Sequence, residues 1–159
     1  MIDTNKAWLN AVPWESVQTL NQALCQAKNV AYSTNPKAVT SVSARWQGAV
    51  GRVTSLVAVL DLIRECREAL PFTFNNGNTF AAIAKTLVDD WLKERPPVEA
   101  QIVRTTVCHY VAGQIGRKEL VQVLEHLGPA CRLAEEKARP VPANSPSAPV
   151  AQAQAQGTA

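Results

Sequence analysis

The side chains of this chain that are best suited to nucleophilic or metal chemistry are four cysteines and two histidines. They are Cys25, Cys66, Cys108 and Cys131, with His109 and His126. Zinc sites usually draw their ligands as closely spaced pairs, and no two of these cysteines lie close in sequence. Cys108 and His109 are adjacent on a predicted helix, so their side chains diverge by roughly 100° and cannot form an attacking pair. We therefore predict buried, reduced cysteines, and a thiol and an imidazole that meet from different helices, such as Cys66 with His109, are the alternative.

Catalytic sequence motifs are absent from the chain. It contains no phosphate-binding P-loop, no GxGxxG and no nucleophile elbow. Di-iron bundles place a glutamate three residues before a histidine, and here Thr106 and Val123 occupy those positions. The sequence thus predicts no catalytic residue, no metal and no cofactor. An enzyme of unrecognised type with a composite Cys/His site stays open as an alternative function.

Acidic and basic residues share one side of a predicted helix, where Asp61, Glu65 and Glu68 lie beside Arg64 and Arg67. Spacings of three and four residues bring Asp61 near Arg64, and Arg64 near Glu68. Such pairs are typical of a solvated helix face. We therefore interpret these carboxylates as surface ion pairs and not as a general acid and base.

Two predicted helices, residues 98–112 and 117–127, surround a glycine-containing turn. This arrangement is also that of a helix-turn-helix, whose second helix enters the major groove of DNA. The second helix offers three base-reading side chains, Arg117, Lys118 and Gln122. The motif needs a small residue shortly before its turn glycine, and His109 stands there when Gly113 is that glycine. Ordinary bundle packing therefore fits as well, and nucleic-acid binding through residues 98–127 is the alternative function.

The chain has four tryptophans. Trp46 and Trp91 fall on apolar helical faces, which favours the core. Trp8 and Trp14 lie in short segments on either side of Pro13, where a full core is hard to build. Because tryptophan is enriched at partner-binding hot spots, we predict Trp8 and Trp14 as partner-binding residues.

The longest apolar pattern predicts one helix from about Pro36 to Leu70. Its inward positions step by three and four residues, as in a coiled coil: Val39, Val42, Trp46, Ala49, Val53, Leu56, Leu60 and Ile63, then Arg67 and Leu70. Asn35 and Pro36 suit the start of a helix, and Pro71 suits its end. A rod of roughly 50 Å must bury this seam against other helices. The predicted fold is therefore all-α, a single bundle of about five or six helices built round this long central helix.

The chain divides into a helical domain, residues 1–138, and a tail, residues 139–159. The tail is rich in proline, alanine and glutamine, and its only larger hydrophobic residues are two valines. So little apolar surface cannot offset the entropy of ordering the segment, and we predict that the tail is disordered. Within the domain, we expect Gly128-Pro129 to interrupt the last helical region.

Charge and hydropathy limit the function only loosely. The chain has 16 basic and 13 acidic residues, and its net charge of +3 requires neither nucleic acid nor a membrane. The first ten residues lack the apolar run of a signal peptide, and no apolar run is long enough to span a bilayer, so we expect a cytoplasmic protein. The sequence favours a non-enzymatic adaptor, regulator or assembly factor. Its expected partner is another protein or a second copy of itself.

Overall fold

The computed structural model describes the backbone of residues 5–138 and the side chains of residues 5–127. The elements are a short 3-10 helix, Trp8–Ala11, and six α-helices: α1 Trp14–Ala27, α2 Pro36–Ala49, α3 Leu56–Glu68, α4 Asn76–Leu92, α5 Pro97–Val111 and α6 Arg117–Ala138. Between residues 5 and 138, extended pairing is limited to two isolated antiparallel bridges, Lys6 with Thr54 and Thr34 with Phe72. The predicted all-α helical bundle is confirmed. The predicted disordered tail, residues 139–159, lies outside the described residues.

The predicted long helix of residues 36–70 is wrong, because the chain turns between α2 and α3. The last helical hydrogen bonds of α2 end at Val50, whose N–H donates to the Trp46 carbonyl at 3.1 Å. Gly51 then adopts a φ of +82°, in the left-handed region that a residue with a Cβ avoids. Ser55 starts α3 as its N-cap, and its hydroxyl accepts a hydrogen bond from the Ala58 N–H at 3.2 Å. Val53, which the seam pattern placed inward, is 68% exposed in this linker.

The reason for the turn is that two halves of the apolar seam enter the same core. Trp46 in α2 and Leu56 in α3 are both fully buried. The linker between them is held by the amino-terminal segment, since Lys6 and Thr54 exchange backbone hydrogen bonds of 3.1 Å in both directions. Trp8 Nε1 also donates to the Thr54 carbonyl at 3.0 Å. These contacts have no local sequence signature, because they join residues almost fifty positions apart.

The helix at the centre of the bundle is α4. It packs against α1, α3 and α5 and contacts the 3-10 helix, whereas α6 packs mainly on α5. Its inward face includes Phe80, Ala84 and Val88, all fully buried. Phe80 contacts Trp46 and Phe72 with ring centroids 6.2 and 6.3 Å apart. The core is therefore an aromatic cluster next to α4, with aliphatic residues of α3 and α5 beside it.

The predicted interruption at Gly128-Pro129 is also wrong, since α6 continues to Ala138. A proline inside a helix removes one backbone hydrogen bond, and the turns on either side can sustain the helix through it. None of the described helices is both long and apolar enough to cross a membrane.

Candidate interaction site

Both tryptophans that the sequence assigned to a partner surface lie in the core. Trp8 is 2% exposed and meets Trp91 edge to face, with ring centroids 6.2 Å apart. Trp14 is 3% exposed and stacks on Phe72 at 5.9 Å, with an angle of 5° between the ring planes. The short segments around Pro13 do build a core, because α4 and the loop before it supply the aromatic rings. Partner binding by Trp8 or Trp14 stays a prediction, but each indole is covered in this structure.

The residues proposed to bind nucleic acid lie in the first turns of α6, and one of them, Arg117, forms an ion pair within the protein. Arg117 Nε donates to Asp61 Oδ2 at 3.0 Å, and this hydrogen bond raises the pKa of the guanidinium. Tyr110 Oη donates to the other carboxylate oxygen of Asp61 at 2.5 Å. Burial, followed by this hydrogen bond, raises the pKa of Tyr110 to about 12. Lys118 and Gln122 are exposed. Asp61 therefore joins α3 to both α5 and α6, and Arg117 has a structural partner.

Two further arginines of α3 support the α5–α6 turn. Arg64 Nη1 donates to the Ile115 carbonyl at 2.9 Å, and Arg64 Nε pairs with Glu68 at 3.0 Å. Arg67 lies close to Gly113, and a Cβ atom added at Gly113 would be 3.0 Å from Arg67 Nη2. Gly113 has a φ of +81°, which again suits glycine. The predicted Arg64–Glu68 ion pair is confirmed. The predicted pair of Asp61 with Arg64 is wrong, because Asp61 pairs with Arg117 instead.

Two of the described thiols, Cys66 and Cys108, are poorly suited to nucleophilic chemistry. Burial raises the pKa of Cys66 to about 12, and burial also raises the pKa of Cys108. The Cys108 thiol donates to the Ala81 carbonyl at 3.7 Å. The pKa of Cys66 is lowered by the charge of Arg45 and raised by that of Glu65, and both effects are smaller than that of burial. In the described part of the chain, no three His, Cys, Asp or Glu side chains are grouped to hold a metal ion. The side chain of Cys131 lies outside the described residues.

The loop between α3 and α4, residues 69–75, contains an exposed leucine in an unfavourable backbone conformation. Leu70 has a φ of +52° and is 56% exposed. The other described residues with positive φ are Asn29, Gly51, Asn75 and Gly113. Asparagine and glycine tolerate this left-handed conformation, whereas for most residues with a Cβ it costs roughly 1–2 kcal/mol. Leu70 therefore combines a strained backbone with an apolar side chain left in water.

The backbone of the 69–75 loop is held on one side by the segment before α2. The Asn35 N–H donates to the Pro71 carbonyl at 2.9 Å, and the Thr73 N–H donates to the Ser33 carbonyl at 3.0 Å. These two bonds form the antiparallel bridge of Thr34 with Phe72. The loop therefore has a fixed path across the end of the bundle.

Two buried asparagine side chains also form hydrogen bonds with the backbone of this loop. Asn76 Oδ1 accepts from the Phe72 N–H at 3.1 Å, and Asn76 Nδ2 donates to the Phe72 carbonyl at 2.6 Å. Asn21 of α1 donates from Nδ2 to the Phe74 carbonyl at 2.8 Å and to Thr79 Oγ1 at 2.9 Å. Although its carbonyl is fixed, Phe74 is 46% exposed. The loop thus presents two large apolar side chains, Leu70 and Phe74, from an ordered backbone.

Sequence reasoning missed Leu70 as an exposed residue because the periodic pattern assigned it to the inward seam. The pattern continues through Leu70 only if α3 does, and α3 ends at Glu68. Pro71 marked the end of the helix correctly, since a helix commonly closes with a left-handed residue shortly before a proline. No propensity rule would have placed leucine at that left-handed position.

Comparison with protein-family models, with curated proteins and with solved structures finds no match to this chain.

Proposed function

We propose that this protein is a non-enzymatic cytoplasmic adaptor, regulator or assembly factor that binds another protein through the 69–75 loop. The observation that supports the proposal is Leu70, an exposed leucine in a left-handed backbone conformation. Backbone strain persists where the surrounding structure enforces it, and it concentrates at functional positions. The proposal moves the partner surface from Trp8 and Trp14 to this loop, since both indoles are covered.

Leucine is energetically less favourable at position 70 than the residues found at the other left-handed positions, asparagine and glycine. Asparagine or glycine at position 70 would remove most of a cost of roughly 1–2 kcal/mol and would expose less apolar surface. The exposed parts of Leu70 and Phe74 do not contribute to the core of the folded chain, but they would contribute to binding if a partner covered them. Complete burial of such side chains contributes about 1.5–3 kcal/mol each, so covering the exposed half contributes about 0.8–1.5 kcal/mol.

Pre-organisation also supports a binding role for this loop. Its backbone is fixed by the bridge to Ser33 and Asn35 and by the side chains of Asn21 and Asn76. A partner therefore meets Leu70 and Phe74 on an ordered surface and loses little entropy in ordering the loop.

The experiment is affinity capture from native host cells with the full chain as bait. The test variant is Leu70→Asn with Phe74→Ser, and the control variant is Val53→Asn. Val53 is a comparably exposed apolar residue in the α2–α3 linker. This linker lies about one helix length, or roughly 20 Å, from the 69–75 loop, because α2 starts beside the end of α3.

We expect wild type and Val53→Asn to retain the same specific partner, and the double variant to lose it while its circular dichroism spectrum stays helical. The partner is either another protein or a second copy of the chain, which differently tagged baits distinguish. Equal capture by all three proteins, or no specific protein captured by any, would overturn the proposal.

A further inference from the structure

We infer that the segment that docks on the 69–75 loop is acidic as well as apolar. This inference rests on the proposed function and specifies the chemistry of the partner. It is carried by the positions of Lys28 and Lys37, which lie on either side of the loop without an acidic partner.

Lys28 reaches the loop directly. It is the residue that closes α1, and its Nζ donates to Asn75 Oδ1 at 2.8 Å. Asn75 is the last residue of the loop, and its Nδ2 donates in turn to Cys25 Sγ at 3.4 Å. A neutral amide oxygen therefore holds this ammonium group at Asn75, the residue after Phe74, and leaves its full positive charge available.

Lys37 lies on the other side of the loop. It is in the first turn of α2, two residues after Asn35, whose N–H donates to the Pro71 carbonyl. Lys37 is exposed, and no carboxylate lies within ion-pair distance of it among the described residues.

The contrast with the arginines makes these two lysines informative. Within residues 5–127, Arg45, Arg64, Arg95, Arg104 and Arg117 each pair with a carboxylate, whereas Lys28 and Lys37 do not. Glu68 is the acidic residue nearest the loop in sequence, and it already contacts Arg64 at 3.0 Å and Arg67 at 3.5 Å. The surface around Leu70 and Phe74 is therefore net positive and apolar, and its complement is an apolar segment that carries Asp or Glu.

An anionic membrane is the competing occupant of a basic, apolar loop. Polybasic membrane-binding segments typically carry four to eight Lys or Arg residues, and this surface has two free lysines. The loop backbone is also tied to Ser33 and Asn76, which suits docking of a defined side chain pattern more than insertion among lipids. We therefore assign a protein segment to the site.

The test is a selection with a phage-displayed library of random peptides on the immobilised full chain. Each recovered peptide is then synthesised, and its affinity is measured for four proteins. These are wild type, Leu70→Asn with Phe74→Ser, Lys28→Gln with Lys37→Gln, and a charge-matched control, Arg52→Gln with Lys85→Gln. The control removes the same two positive charges from exposed positions in the α2–α3 linker and α4.

We expect the recovered peptides to be enriched in Asp and Glu next to apolar residues. The apolar double variant should weaken their binding by about 15-fold or more, since each covered side chain contributes about 4- to 12-fold. The lysine double variant should weaken binding about 4- to 20-fold at low salt and less at high salt, whereas the control should stay within about twofold of wild type.

Peptides that depend on Leu70 and Phe74 but not on Lys28 and Lys37 would overturn this inference and leave the proposed function standing. The absence of any loop-dependent peptide would count against both. A parallel sedimentation assay with phosphatidylserine–phosphatidylcholine vesicles tests the competing occupant. Co-sedimentation of wild type that the Leu70→Asn, Phe74→Ser variant loses would overturn the inference in favour of a membrane surface.

Discussion

Two glycines, three residues apart, offer a matched test of the turn between α2 and α3. Gly48 is helical, within α2, and a Cβ built there meets nothing within 4 Å. Gly51 has equally open surroundings but a φ of +82°. Alanine at either position therefore changes only the backbone preference, and the two substitutions should have opposite effects on stability.

The sizes of the two effects follow from the backbone conformations. Gly48→Ala should stabilise the fold by about 0.5–1 kcal/mol, because alanine is the better helix former and loses less entropy on folding. Gly51→Ala should destabilise it by about 1–2 kcal/mol, because a Cβ is strained at positive φ. For a domain of this size, about 3–4 °C accompanies each kcal/mol, so the two melting temperatures should differ by roughly 5–10 °C.

The assay is thermal and urea denaturation of both variants, followed by circular dichroism at the helical minimum. If residues 36–70 formed one continuous helix, both glycines would be helical and both alanines would stabilise the protein. An increase in melting temperature for Gly51→Ala would therefore refute the turn, and with it the division of the seam into α2 and α3.

Three further predictions test the core, the hydrogen bond of Tyr110 with Asp61 and the nucleic-acid alternative. Leu56→Ala should lower the free energy of unfolding by about 2–5 kcal/mol, as for other buried leucines, and a loss below about 1 kcal/mol in urea denaturation would contradict its burial. Tyr110 should titrate near pH 12 in the folded state; because this pKa lies above the ordinary value of 10, the stability it contributes is complete below pH 10 and is lost as the pH rises towards 12. Ultraviolet titration against Tyr110→Phe measures this, and a transition of that tyrosine at pH 10 in the folded protein would contradict it. Finally, duplex DNA should not bind at physiological salt, and steeply salt-dependent binding that Arg117→Ala and Lys118→Ala both weaken would support the alternative function instead.

Much of the architecture could be predicted because helical periodicity and helix-ending residues are local. Asn35-Pro36 and Pro71 marked a helix start and a helix end correctly. The same periodicity did not reveal the turn at Gly51. The apolar residues keep helical spacing on both sides of this short turn, so the pattern looks like one continuous helix. The bridge of Lys6 with Thr54 that holds this turn depends on the folded core and has no local sequence pattern.

The candidate site was harder to predict than the fold for the same physical reason. The proposed role of Leu70 depends on a backbone angle, and the charge around it depends on which basic side chains pair with carboxylates. Trp14 was assigned to the surface because its partner Phe72 comes almost sixty residues later in the chain. Conversely, the ion pair of Arg64 with Glu68 was predicted because four residues on one helix suffice to define it.

The most direct test of the 69–75 loop as a partner surface is site-specific photo-cross-linking in native host cells. A photoreactive phenylalanine analogue is introduced in place of Phe74 in one sample and in place of Val53 in another, and the cross-linked products are compared by mass spectrometry. We expect a discrete protein adduct from position 74 that position 53 does not give. No protein adduct from position 74, or the same adducts from both positions, would contradict it.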